Sequence, residues 1–311
     1  MYQSETSNRP SAILLLAGLT ILLLLGMPIL ATAAETASLV GSERCLECHE
    51  QQAETYNNSL HAQAWKSIGG NYTNSGCESC HGPGSTHVDS NGKPDIINFS
   101  GKQISESSTC LSCHETSPEL ALWSMGAHAR NDVGCAACHT IHGEVQPVAN
   151  QPEVCFSCHR DIKFDSNKQS HHPIIEGKVS CNDCHNPHGA LSEGQLRANS
   201  KNELCYHCHA DKRGPFLWEH PPVEEDCGSC HSSHGSRHNN LLTSKVPNLC
   251  QDCHDWNRHP STTLDSSSNF SGTASNRFIA RSCLNCHGTI HGSNAPHNPD
   301  NGYNGGHYFV R

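Results

Sequence analysis

Aromatic side chains are scarce in this chain, 5% of 311 residues, and apolar residues of all kinds make up 35%. A chain of this length that folds around its own side chains normally carries more. A conventional polypeptide core is therefore excluded as the main source of stability. Methionine is rarer still: Met1 and Met27 lie near the amino terminus, and Met125 is the third and last. Charged residues amount to 16%, with a net charge of −10. That balance disfavours nucleic acid or an anionic membrane surface as a partner. Beyond residue 30 no run is apolar enough to cross lipid as a helix.

Cysteine is abundant, and none is left over. The 20 cysteines form ten Cys-x-x-Cys pairs, each followed directly by histidine. The first five motifs are Cys45 and Cys48 before His49, Cys77 and Cys80 before His81, Cys110 and Cys113 before His114, Cys135 and Cys138 before His139, and Cys155 and Cys158 before His159. The second five are Cys181 and Cys184 before His185, Cys205 and Cys208 before His209, Cys227 and Cys230 before His231, Cys250 and Cys253 before His254, and Cys283 and Cys286 before His287. This is the attachment signature of haem c. Each thiol adds to a haem vinyl group, and the adjacent imidazole binds iron. On a helical turn, positions i, i+3 and i+4 share one face, so two sulfurs and one imidazole reach the same porphyrin. Zinc knuckles also use Cys-x-x-Cys, but zinc chemistry does not require histidine at the next position every time. A disulfide scaffold would not keep one fixed spacing.

The amino terminus reads as an export signal. Arg9 precedes the apolar stretch from Ile13 to Leu25, Gly26 and Pro28 follow, and Ala31-Thr32-Ala33 supplies small residues for cleavage. The expected division is a signal peptide over 1–33 and a decahaem domain over 34–311 in the periplasm, with an uncleaved anchor as the rival. The remaining 278 residues give about 28 per haem. The porphyrins would then form most of the buried apolar mass. The expected fold is mostly irregular with short α-helices, an elongated multihaem cytochrome c built from five two-haem repeats. Without haem the chain should be unfolded.

The repeat pairs an odd motif, followed at a distance by histidine, with an even motif followed closely by histidine. Its ten spare histidines are His61 and His87, His128 and His142, His172 and His188, His220 and His234, and His259 and His291. His-Pro recurs after odd motifs (His172-Pro173, His220-Pro221, His259-Pro260) and His-Gly after even ones (His142-Gly143, His188-Gly189, His234-Gly235, His291-Gly292). One spare imidazole per haem predicts bis-histidine coordination throughout. His172 is preferred over His171 because its His-Pro context recurs. His207, His238, His297 and His307 have no place in the repeat. Which distal histidine serves which haem is left open. Locally, Glu50 to Trp65 lacks Pro and Gly and predicts a helix carrying His61. Ser117-Pro118-Glu119 predicts a helix start leading to Met125 and His128. Ser261 to Asn276 reads as a loop.

Iron with both axial positions filled exchanges only electrons. An electron carrier is therefore expected rather than an enzyme. A multihaem reductase would need an open iron or a variant such as Cys-x-x-Cys-Lys, and no such variant occurs. With Met125 alone available, methionine ligation is nearly excluded, which predicts low potentials.

Longer segments carry a family resemblance. These are Cys77-Glu-Ser-Cys-His-Gly-Pro-Gly-Ser-Thr-His87, His171-His172-Pro173 with Glu176-Gly177-Lys178, Arg213-Gly-Pro-Phe-Leu-Trp-Glu-His220, and the ending from His287 to Phe309-Val310-Arg311. The chain resembles the MtrA/DmsE/PioA family of periplasmic decahaem cytochromes. The resemblance implies a cytochrome seated in an outer-membrane β-barrel of the MtrB/PioB type. It implies conduction between periplasmic and extracellular multihaem cytochromes, with the amino-terminal haems facing the periplasm. Metal reduction, extracellular sulfoxide reduction and ferrous iron oxidation are all open under it. The alternative is a free periplasmic carrier or reservoir.

Overall fold

The computed structural model describes residues 36–69, 76–93, 96–142, 152–254, 282–285, 287–296 and 309. Cys286, His259, His297 and His307, the leader, and the stretch from Ser261 to Asn276 lie outside the described residues.

The described chain is short helices joined by irregular segments, with no strands beyond isolated bridges. The helices are α1 (Ser42–Leu46), α2 (Glu50–Asn57), α3 (Leu60–Ile68), α4 (Glu78–His81), α5 (Ser85–Asp89), α6 (Ser107–His114), α7 (Ala127–Arg130), α8 (Pro152–Phe156), α9 (Arg160–Ser166), α10 (Cys181–Cys184), α11 (Lys201–Tyr206), α12 (Pro221–Glu225) and α13 (Asn248–Gln251). No described helix is long and apolar enough to cross a membrane.

Local chemistry sets where these helices stop. The expected helix from Glu50 to Trp65 is divided in two. Ser59, fully buried, acts as N-cap, accepting from the Ala62 N–H at 3.1 Å, and α3 starts afresh behind it. The expected helix from Pro118 is also broken. Two 3₁₀ turns, Pro118–Leu120 and Trp123–Met125, are followed by Gly126 in extended geometry (φ −65°, ψ 152°), and only then α7 presents His128. Pro152 and Pro247 stand at the starts of motif helices, α8 and α13.

Within a unit, the two motifs are clasped by one side chain. Ser42, Ser107 and Asn202 each stand three residues before the first cysteine of an odd motif. Their side-chain oxygens accept from the backbone N–H of Cys77, Cys135 and Cys227, the first cysteine of the following even motif. Between units, the segment behind an odd motif is held by the loop behind the next unit's even motif. Ser170 and Ser236 exchange both backbone hydrogen bonds, as do Trp218 and Ser293. One unit earlier, Gln195 Oε1 accepts from the Ala127 N–H.

This clasp explains the recurring His-Gly. A Cβ on Gly189 would lie 2.3 Å from the Leu122 carbonyl oxygen, and one on Gly235 would lie 1.9 Å from that of Asp165. Gly189 also has a φ of +123°.

Among the described residues the buried apolar side chains are Ala62, Trp123, Phe156 and Ile174. Four residues make no core for a chain of this size. In its place runs a continuous cavity of about 5240 Å³, lined by motif residues from Cys45 to His287. It is at least about five times an ordinary ligand pocket of roughly 300–1,000 Å³. Leu46, Leu60, Met125 and Leu191 are 40%, 60%, 60% and 83% exposed, and all four line this cavity. Their apolar surface faces space that a bulky apolar group would fill.

Candidate haem sites

Each site starts from a motif turn. In the described motifs the histidine N–H bonds to the carbonyl of the first cysteine, as for His49 on Cys45 (3.0 Å) and His185 on Cys181 (2.9 Å). This turns both thiols and the imidazole toward one side. No described cysteine is in a disulfide.

Opposite nine of the ten motif histidines stands one of the expected spare histidines. Ring centres are 6.3 Å apart for His49 and His87, 6.0 Å for His81 and His142, and 6.0 Å for His114 and His61. They are 6.0 Å apart for His139 and His188, 6.1 Å for His159 and His128, and 6.0 Å for His185 and His234. The last three pairs are His209 with His172 at 6.3 Å, His231 with His291 at 6.1 Å, and His254 with His220 at 6.1 Å. With metal–imidazole bonds of about 2.0–2.1 Å and ring centres about 1.2 Å further out, two axial imidazoles stand about 6.4–6.6 Å apart, within a few tenths of an ångström of these distances. The spacing fits one iron between each pair. Among the described residues no group of three or more His, Cys, Asp or Glu converges on a point, as a zinc site would require.

Ring orientation is set by backbone carbonyls. Nδ1 donates to a carbonyl in His87 (Lys93, 2.9 Å), His128 (Pro187, 3.0 Å), His172 (Ser233, 2.7 Å), His185 (Gly194, 2.7 Å) and His231 (Asn240, 2.8 Å). A proton held on Nδ1 leaves Nε2 as the lone-pair donor, the usual tuning of a metal-bound imidazole. His171 is different: its Nδ1 meets the Lys168 carbonyl at 2.6 Å and its Nε2 meets Glu176 at 3.1 Å. Both nitrogens are engaged, and it faces no motif histidine. Burial pushes His61, His142, His188, His220, His234 and His291 below the ordinary imidazole range, toward the neutral form that ligation needs.

The pairs are interleaved. Each internal even motif faces a histidine from behind the next unit's even motif, as His185 faces His234. Each internal odd motif faces one from behind the previous unit's odd motif, as His209 faces His172. At the first motif the rule has no upstream unit to draw on, and His49 faces His87 of its own unit.

The cysteines form a second ordered series. Within a unit the first cysteines of the two motifs are electrostatic neighbours: Cys45 and Cys77, Cys110 and Cys135, Cys155 and Cys181, Cys205 and Cys227, and Cys250 and Cys283. Between units the second cysteines are electrostatic neighbours: Cys80 and Cys113, Cys138 and Cys158, Cys184 and Cys208, Cys230 and Cys253. The ten motifs follow one another in chain order.

Some supporting residues were not legible in the motifs. Glu78, inside the second motif and 5% exposed, accepts from the Val40, Gly41 and Gly84 N–H groups and ties the segment from residue 38 to the first unit. Gly194 and Asn240, both in left-handed geometry, stand nine residues past His185 and His231 and supply the carbonyls that hold them. The shared nine-residue offset, followed two residues later by Leu196 and Leu242, is the signal that would have found them. Phe309, in the tail, packs its ring 5.4 Å from that of His220.

Known proteins agree with this reading. A family model for the doubled CXXCH motif matches residues 171–214 and 220–259, one for cytochrome c-type protein NrfB-like matches 77–152, and one for cytochrome c554 and c-prime matches 44–75. The chain is 41% identical over 273 residues to multiheme cytochrome MtrA of Shewanella baltica, covering 82% of this chain and 79% of that protein. It is 29% identical over 227 residues to C-type polyheme cytochrome OmcB of Geobacter sulfurreducens, of which it spans 27%. With a fold of short helices around repeated Cys-x-x-Cys-His turns and this extent of identity, the chain belongs to the MtrA family of multihaem c-type cytochromes and binds haem c for electron transfer.

Proposed function

We propose that the chain carries ten haems, each bound through its motif cysteines and held between two histidines, and that they form one electron path in chain order. The observation that carries this reading is the coincidence of the two series. Nine histidine pairs have the separation of axial ligands. The attachment cysteines of successive motifs also stand side by side from Cys45 to Cys283. The tenth pair is His287 with His259, the two members left by the interleaving. His259 would then close the last motif as His87 closes the first. The haem supplies a reversible ferric–ferrous couple. The chain's residues bind both faces of each iron, exclude substrate from it, and bring neighbouring attachment edges together. This is the chemistry of a wire and leaves an enzyme no open site.

The path conducts electrons across the outer membrane, inside a β-barrel partner of the MtrB/PioB type, between periplasmic and extracellular multihaem cytochromes. Residues 1–33 direct export and the mature chain is 34–311. The kinship with multiheme cytochrome MtrA supports the barrel, and irregular backbone at membrane depth has to be enclosed by protein. The test is reconstitution. The barrel–cytochrome complex in liposomes should exchange electrons with an entrapped dye, and the cytochrome alone should not. Equal rates with and without the barrel would leave a free periplasmic carrier as the reading.

A further inference from the structure

The histidine pairs differ in how their rings are turned. At the third, fifth and seventh motifs the planes are crossed: 84° between His114 and His61, 73° between His159 and His128, and 51° between His209 and His172. At the fourth, sixth and eighth motifs, which alternate with these, the planes are near parallel, at 18° in each pair. The alternation is confined to this stretch. The first and ninth pairs are near parallel, at 25° and 18°, and the second is inclined at 51°.

Backbone carbonyls hold the difference in place. In the fifth and seventh pairs the spare histidine is held: His128 and His172 donate from Nδ1 to the carbonyls of Pro187 and Ser233. In the sixth and eighth pairs the motif histidine is held: His185 and His231 donate to the carbonyls of Gly194 and Asn240. Such bonds behind a ligand fix the orientation of its ring. Pro187 and Ser233 directly precede His188 and His234. One loop therefore supplies a ring of a parallel pair and turns a ring of the next crossed pair.

Ring orientation matters to iron because each imidazole donates π density into one iron d orbital. Parallel rings donate into the same orbital and raise it above its partner. Crossed rings raise the two alike, and the gap between them shrinks as the angle opens. Low-spin ferric iron has one vacancy in this set and places it in the raised orbital, so a wide gap stabilises the ferric state. Ferrous iron fills the set and gains nothing from the gap.

We infer that ring orientation sorts the haems from the third to the eighth into two alternating classes, with the third, fifth and seventh taking up an electron at higher potential than the fourth, sixth and eighth. Every transfer within this stretch then joins unlike haems, and the path has a stepped profile. Pro187 and Ser233 are positioning residues, since they act through the imidazoles that their carbonyls hold. The inference rests on the bis-histidine ligation proposed above.

The test is a redox titration of the purified holoprotein followed by electron paramagnetic resonance. Parallel rings give a rhombic low-spin signal, and crossed rings give a low-field signal of large anisotropy. The oxidised protein should show both, and the large-anisotropy intensity should disappear first on reduction. Nδ1-methylhistidine in place of His172 keeps Nε2 and removes the N–H that Ser233 holds. With ten haems retained by mass, it should shift large-anisotropy intensity worth one haem. The same replacement at His171 should shift none. A single class of low-spin signal, earlier loss of the rhombic signal, or an unchanged spectrum with His172 replaced would overturn the inference. A high-spin signal in the unmodified protein would instead count against the ligation reading.

Discussion

At His171 and His172 two adjacent imidazoles have opposite fates, and hydrogen bonds decide between them. His172 keeps Nε2 free because Nδ1 is held by the Ser233 carbonyl, whereas His171 has both nitrogens engaged. His172→Ala is therefore expected to leave the seventh haem five-coordinate and to add a high-spin signal worth one haem in ten. His171→Ala should add none, as read by electron paramagnetic resonance. Gly189 tests the packing at the same scale. Its Cβ would meet the Leu122 carbonyl at 2.3 Å in a backbone conformation with φ of +123°. Gly189→Ala should cost about 1–3 kcal/mol and lower the melting temperature. Gly177→Ala, with a left-handed φ but open space, should cost no more than about 1 kcal/mol.

At the scale of elements, helices are set by caps and breaks a few residues long. Ser59 alone divides α2 from α3, so Ser59→Ala should destabilise by about 1 kcal/mol in a thermal melt, through loss of the N-cap. Neighbouring units are bound by reciprocal loans: each internal unit lends one histidine forward and one back. Removing one whole unit should therefore leave the ligand pairs closed. Deleting residues 155–204 removes the fifth and sixth motifs with His172 and His188. It frees His128 for His209 and His234 for His139. The shortened protein is expected to carry eight haems by mass, all low-spin. A persistent high-spin signal would show that the units are not interchangeable.

At the scale of the molecule, the cavity takes the place of a core. Four buried apolar side chains among the described residues cannot offset the conformational entropy of ordering such a chain, about 1–2 kcal/mol per residue for the backbone alone. A form with every motif cysteine changed to alanine is expected to lack helical circular dichroism and any cooperative melt, as a metal-stabilised domain does without its metal.

The sequence by itself determined the chemistry. Cysteine spacing, the histidine behind each pair and the shortage of apolar residues are covalent facts, and they specified the ten motifs, the spare imidazoles and a fold of short helices. Tertiary structure alone decided which histidines meet. His81 and His142 lie 6.0 Å apart across two units, and His114 turns back to His61. Pairings of this reach follow from how one unit's loops clasp its neighbour, through Ser170 with Ser236 and Gln195 with Ala127. Those contacts join segments distant in sequence, and serine, glutamine and alanine make them. Side chains so common carry no motif, so the line of motifs was legible and the interleaved pairing of histidines was not.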